Sequence, residues 1–153
     1  MKHLSPYREG KWPHLLSEGY EVTSEETDPR NKKVIPYNCI AFAAGDQTRW
    51  WWPDQAGAAY WPIPRREVTL DCFIEAYQTR EYEVCTSGNV EPGLEKIVIY
   101  MLNGEPTHAA RQLDNGLWTS KLGPWEDIRH NTTKAVEEYI YGKAIQYMKR
   151  PIK

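Results

Sequence analysis

The tripeptide Asp114-Asn115-Gly116, set between the segments Thr107 to Leu113 and Leu117 to Leu122, constrains this chain more than any other feature. Asp and Asn suit a type I turn and Gly the left-handed residue that follows it, so the stretch reads as an antiparallel hairpin with a three-residue loop. In that register Leu113 faces Leu117 and Ala110 opposes Ser120. His108, Ala110 and Gln112 then share one face with Trp118, Ser120 and Leu122, and Ser120 lies diagonal to His108. A two-residue turn at Asn115-Gly116 would bring Thr119 and Lys121 to that face instead. Gly116 in the left-handed conformation favours the first register.

The rest of the chain supplies what such a hairpin can pack with. Lys96-Ile97-Val98-Ile99-Tyr100-Met101 is apolar and β-branched, as a strand covered on both faces would be, and Asn103-Gly104 ends it. Asn38 before Cys39-Ile40-Ala41-Phe42-Ala43-Ala44, with Gly45 after, reads as a short buried helix with Cys39 in its first turn. Leu70, Phe73, Ile74 and Tyr77 fall at helical spacing from Thr69 to about Arg80. Asn131 or Thr132 is expected to cap a further helix carrying Ala135, Val136, Tyr139 and Ile140 up to Gly142, and Lys143 to Lys149 reads as a last strand. Residues 1–36, rich in Pro, Gly and charge, are expected to form an irregular lead-in to a core at 37–150. The plan is α+β, helices on a mostly antiparallel sheet, in a single domain over 1–153.

Leu, Ile, Val and Phe make up only 28 of the 153 residues, near the level at which disorder is considered. The net charge of −2 removes the second condition for disorder, and seven Trp and ten Tyr supply the missing apolar area. Balanced charge, 19 basic against 21 acidic residues, leaves no field to hold a polyphosphate, so nucleic acid is not an expected partner. No apolar run approaches a membrane span, and MKHLSPYREGKWPH lacks a signal-peptide core, so a cytoplasmic start is expected; a phage lysin or an effector exported by another route fits as well. Three cysteines without CxxC spacing predict neither a disulfide framework nor a zinc knuckle.

Cys39 at a helix start would meet unsatisfied N–H groups and the positive end of the helix dipole, which lower a thiol pKa and can also stabilise an oxyanion. His108, at the head of a strand, has the reach of a general base. Ser120, on the same face of the hairpin, is positioned to orient His108. Equally, Cys39 reads as a small core residue and His108 as a satisfied strand histidine. Trp50 and Trp61, from the runs Trp50-Trp51-Trp52-Pro53 and Tyr60-Trp61-Pro62, are candidates for an aromatic substrate wall, with Trp51 or Trp52 in the core. Arg111 and Lys121 are candidates for a substrate carboxylate. A redox or metal site from Cys39, His108 and His130 lacks close ligand spacing, so no metal or cofactor is expected.

The order of a helix-start Cys39, the strand segment GLEKIVIY, His108 at a strand head and a polar Ser120 twelve positions on resembles the NlpC-type papain-like cysteine hydrolases. The resemblance covers about Tyr37 to Lys149 and implies a papain-like fold. It also implies hydrolase or acyltransferase chemistry on an amide, isopeptide or thioester bond of a peptide or protein, with Cys39 attacking, His108 as base and then acid, and Ser120 orienting it. The chain departs from that pattern at Ser120, where these hydrolases usually carry His, Asn, Gln or Asp, and in lacking a glycine-rich approach to the nucleophile; Gln112 and Asn115 are other candidates for the orienting group. The phrases YNCIAFAAGD, WWWP, YWP, THAARQ and WTSKLG are similar to an uncharacterised group of small bacterial domains. A non-catalytic module that binds a peptide or protein through the Trp-rich loop is the alternative.

Overall fold

The computed structural model describes residues 2–24, 37–123 and 125–152. Its centre is β3 (Leu94–Leu102), whose residues alternate between two cores. Ile97 and Ile99 point to one side, Val98 and Tyr100 to the other, and all four are fully buried. Strand alternation makes this possible only if both faces are covered, as the continuous apolar run predicted.

Around β3 the sheet has seven antiparallel strands in the order β1-β6-β5-β4-β3-β7-β2. The others are β1 (Tyr20–Ser24), β2 (Glu83–Cys85), β4 (Glu105–Gln112), β5 (Trp118–Lys121), β6 (Asp127–His130) and β7 (Lys143–Pro151). The sheet is open, with β1 and β2 at its edges. The expected three-residue register of the hairpin is present: Arg111 pairs with Thr119 and Gln112 with Trp118. Leu113 N donates to Leu117 O at 2.7 Å, and Gly116 sits at φ 87°.

Among the described residues, four short helices complete the α+β plan: α1 (Pro6–Glu9), α2 (Leu15–Glu18), α3 (Cys39–Ala43) and α4 (Leu70–Gln78). α3 begins where expected, because the Asn38 carboxamide oxygen accepts from the Ala41 N–H at 3.2 Å. α4 is capped by Thr69 and buries Cys72, Phe73, Ala76 and Tyr77, with Leu70 and Ile74 at the margin of that face. The Tyr77 hydroxyl donates to the Ile40 carbonyl at 2.9 Å, tying α4 to α3.

Three expectations are corrected. The lead-in is not wholly irregular: it supplies α1, α2 and the edge strand β1, which pairs with β6, and Leu4, Trp12, Leu15 and Tyr20 cover the second face of the sheet. Residues 25–36 of that lead-in lie outside the described residues. The helix expected from Thr132 to Tyr141 is only a 3-10 turn, Thr133–Val136. Beyond it a tight loop, in which Glu138 and Gly142 exchange backbone hydrogen bonds at 2.7 and 2.6 Å, exposes Tyr139 and turns Tyr141 inward. Gly142 is required there, since φ is 77° and a Cβ would collide with the Met101 carbonyl. Finally, β2 and β6 are strands that no apolar pattern in the sequence marks.

Candidate active site

β4 and β5 pair only at their turn-proximal ends, so the head of β4 has an open flank. The start of α3 packs there. The Cys39 sulfur lies against the N–H of Ala109, one residue from His108, and against the first-turn N–H groups of Ile40 and of Cys39 itself. Cys39 is 8% exposed and belongs to the core beneath α3 and α4. Burial pushes its thiol up to about 11, and the three N–H groups and the Lys121 charge only partly oppose that rise. The expected lowering of the Cys39 pKa is therefore corrected: desolvation of the thiolate outweighs the end of a five-residue helix.

His108 pairs across the ladder with Tyr100 and so faces the other core, its ring 5.3 Å from that of Tyr100. It is fully buried. Its Nε2 lies 3.0 Å from Ser120 Oγ, which in turn lies 2.8 Å from His130 Nε2, and His130 Nδ1 lies 2.8 Å from the Thr132 carbonyl oxygen. Ser120 and His130 are also fully buried. His108 Nδ1 has no hydrogen-bond partner, so no hydrogen bond joins either of its ring nitrogens to the Cys39 thiol. An orphaned buried acceptor costs about 1 to 3 kcal/mol and so requires a reason. Burial, and for His108 the neighbouring His130 as well, holds both imidazoles below their ordinary range, His130 at about 4, so both rings are neutral at pH 7.

Tyr141 touches both halves of the site. Its ring stacks on His108 with centroids 3.8 Å apart and planes 8° from parallel. It also lines, with Asn38, Cys39, Trp50, Trp52, Thr107 and Gly123, a cleft of about 370 Å³. Burial, then the nearby Cys39, holds its phenol well above the ordinary range. Among the described residues, no charged side chain lines the cleft.

The remaining candidates divide. Trp50 is 44% exposed and borders the cleft, and Trp52 lines it too. Trp61 does not: it is buried, 5.0 Å from the Phe73 ring, with its indole N–H donating to the Arg65 carbonyl. Lys121 is fully buried, with Nζ 2.5 Å from the Trp125 carbonyl oxygen and 3.9 Å from Asp127, so it is not placed to meet a substrate carboxylate. Arg111 is placed by Gly45, past the C-terminal end of α3 and away from Cys39, and faces Glu95 at 3.8 Å. Among the described residues, no group of three or more His, Cys, Asp or Glu is arranged to hold a metal ion, and no helix is long and apolar enough to cross a membrane.

Asn38 organises the near side of the site. Besides capping α3, its side chain accepts from the Trp51 N–H at 3.0 Å and donates to the Trp51 carbonyl at 2.8 Å. Trp51 then runs along α3 to Asp46, whose carboxylate receives the indole N–H at 2.9 Å. Burial alone would raise Asp46, but the Thr48 hydroxyl and N–H, the Trp51 indole and Arg49 together hold it well below the usual carboxylate range. This frame lets Trp50 lean on the cleft without supporting the core, so Trp50→Ala is expected to change stability by less than about 0.5 kcal/mol, measured by denaturant titration.

The buried histidines predict acid sensitivity. A folded-state pKa depressed below the unfolded value of about 6.5 gives stability that is complete above that value and lost as pH falls toward the folded pKa. His130, at about 4 in the fold, sets the window. Melting temperature is therefore expected to fall between about pH 6.5 and 4, and a flat profile there would contradict neutral buried rings.

The sequence alone offers His130 only as a metal ligand, a reading it sets aside, and does not single out Tyr141 at all. His130 reaches Ser120 because β5 and β6 pair with Trp118 opposite His130 and Ser120 opposite Ile128, which puts His130 diagonal to Ser120. In comparison with known proteins, a family model described as "Domain of unknown function (DUF7689)" matches residues 21–149. No curated protein and no solved structure matches the chain.

Proposed function

We propose, for a chain that belongs to this DUF7689 family, the activity of a cysteine hydrolase or acyltransferase acting on an amide, isopeptide or thioester bond of a peptide or protein, on a fold of the papain-like NlpC type. The observation that carries the reading is His108: one ring nitrogen is held by Ser120 and the other is buried without a partner, under the Tyr141 ring that also lines the cleft into which Cys39 opens from a helix start. A general base for a thiol needs one fixed and one available nitrogen. In the free protein Cys39 is a thiol, with roughly one molecule in ten thousand ionised at pH 7 for a pKa of about 11. The proton therefore leaves the sulfur when substrate is bound, passing to His108 Nδ1 as the sulfur attacks the carbonyl carbon. It returns from His108 to the leaving amine or thiol, and water releases the acyl group in the second half. The Cys39 backbone N–H, at the helix start beside the sulfur, is the donor for the negative charge that develops on the carbonyl oxygen. Trp50, Trp52 and Tyr141 offer an uncharged wall for the acyl side.

The test is covalent trapping with a peptidyl vinyl sulfone bearing an apolar side chain. One equivalent is expected on Cys39, located by peptide mass spectrometry, and none in Cys39→Ala. Labelling confined to Cys85, the more accessible thiol, would overturn the reading.

A second reading, a binding module for a peptide or protein that uses the Trp-rich loop without turnover, is favoured by the raised Cys39 thiol and the lack of a hydrogen bond between it and His108. It predicts retention of an apolar peptide in the cleft, unchanged in Cys39→Ala, with no adduct at Cys39.

A further inference from the structure

We infer that His130 is a positioning residue that acts through the Ser120 hydroxyl to fix which nitrogen of His108 carries the proton. This rests on the reading of Cys39 and His108 as nucleophile and base, and adds to it a residue that touches neither Cys39 nor the cleft.

The proton order follows from the far end of the row. The Thr132 carbonyl oxygen can only accept, and it lies 2.8 Å from His130 Nδ1, so that nitrogen carries hydrogen. The His130 ring is neutral in its buried setting, which leaves a lone pair on Nε2. Ser120 Oγ, 2.8 Å away, has one hydrogen and must donate it there. Toward His108 Nε2, at 3.0 Å, the same oxygen is then an acceptor, so Nε2 carries the hydrogen. The neutral His108 ring keeps its lone pair on Nδ1, the nitrogen without a partner.

All three hydrogen bonds thus run in one direction, from His108 to a backbone carbonyl that cannot reverse its role. A serine alone would not do this, because a hydroxyl donates or accepts with equal ease. Backed by His130 it acts as a one-way acceptor, which is the service a carboxylate or carboxamide oxygen gives directly when it orients a histidine. The wrong tautomer would place the hydrogen on Nδ1 and leave no base. Burial of all three side chains keeps water from offering the row an alternative partner.

The experiment is a two-bond proton–nitrogen correlation spectrum of the full chain labelled with nitrogen-15 histidine, at neutral pH. His108 is expected as a single tautomer protonated at Nε2, and His130 as a single tautomer protonated at Nδ1. In His130→Ala the Ser120 hydroxyl is released: His108 is expected to lose its single-tautomer pattern, and vinyl sulfone labelling of Cys39 to slow by about tenfold or more. His130→Gln, whose side-chain oxygen can accept from Ser120, is expected to restore both. A purely structural His130 would lower the melting temperature in both variants without changing the His108 tautomer. Protonation of wild-type His108 at Nδ1 overturns the inference, as does an unchanged tautomer in folded His130→Ala; if that variant does not fold, the wild-type spectrum decides alone. Failure of wild-type Cys39 to take the label strikes the hydrolase reading, while the spectrum still tests the proton order by itself.

Discussion

Trp51→Ala is expected to lower the unfolding free energy by about 3 to 5 kcal/mol, the range for a buried indole. For a chain of this size that is a fall in melting temperature of roughly 6 to 20 °C. Trp51 is fully buried, with ring centroids 5.6 Å from Tyr60, 6.5 Å from Trp61 and 6.3 Å from Tyr77, and its indole N–H reaches Asp46. The cost comes from lost packing more than from charge, because Asp46 keeps Thr48 and Arg49 after the substitution. Calorimetry beside Trp50→Ala separates the two indoles. A loss at position 50 equal to that at 51 would mean that the whole aromatic run is structural.

His108→Ala is expected to slow vinyl sulfone labelling of Cys39 by about a hundredfold to ten thousandfold, the usual contribution of a positioned acid–base group. With the thiol up at about 11, very little thiolate forms without a base. Because His108 is buried beneath Tyr141, the variant must first be shown to fold by near-UV circular dichroism. The smaller change His108→Gln, which keeps bulk but not basicity, should give the same kinetic loss. Equal labelling rates in folded wild type and either variant would remove His108 from the chemistry.

What is legible in the sequence is local. Asp114-Asn115-Gly116 sets the hairpin register through its own backbone preferences, and with it the His108–Ser120 pair. Asn38 announces its helix by capping chemistry, and Leu70, Phe73, Ile74 and Tyr77 announce theirs by helical spacing. β6 is hidden because Asp-Ile-Arg-His carries one aliphatic residue, and it is a strand only by pairing with β1 and β5. The segment after Thr132 has a helical apolar pattern, yet Tyr141 is drawn onto His108 and Gly142 lies close against the Met101 carbonyl, tertiary contacts that override propensity. The Cys39 pKa departs from expectation for a different reason: the burial already legible in its helix outweighs the dipole of only five residues.

The place of β7 has a consequence for how the chain acquires its structure. Residues 143–151 insert between β3 and β2, pairing with β3 from Leu94↔Pro151 to Met101↔Lys143 and giving β2 its strand neighbour. Such pairings span some fifty residues, and closing loops of that length before any contact is gained slows folding. On a ribosome the earlier strands would therefore emerge with β3 bare along one flank until residues 143–151 are made, so a chaperone that shields unpaired strand edges would have its greatest effect on the nascent chain just before β7 appears.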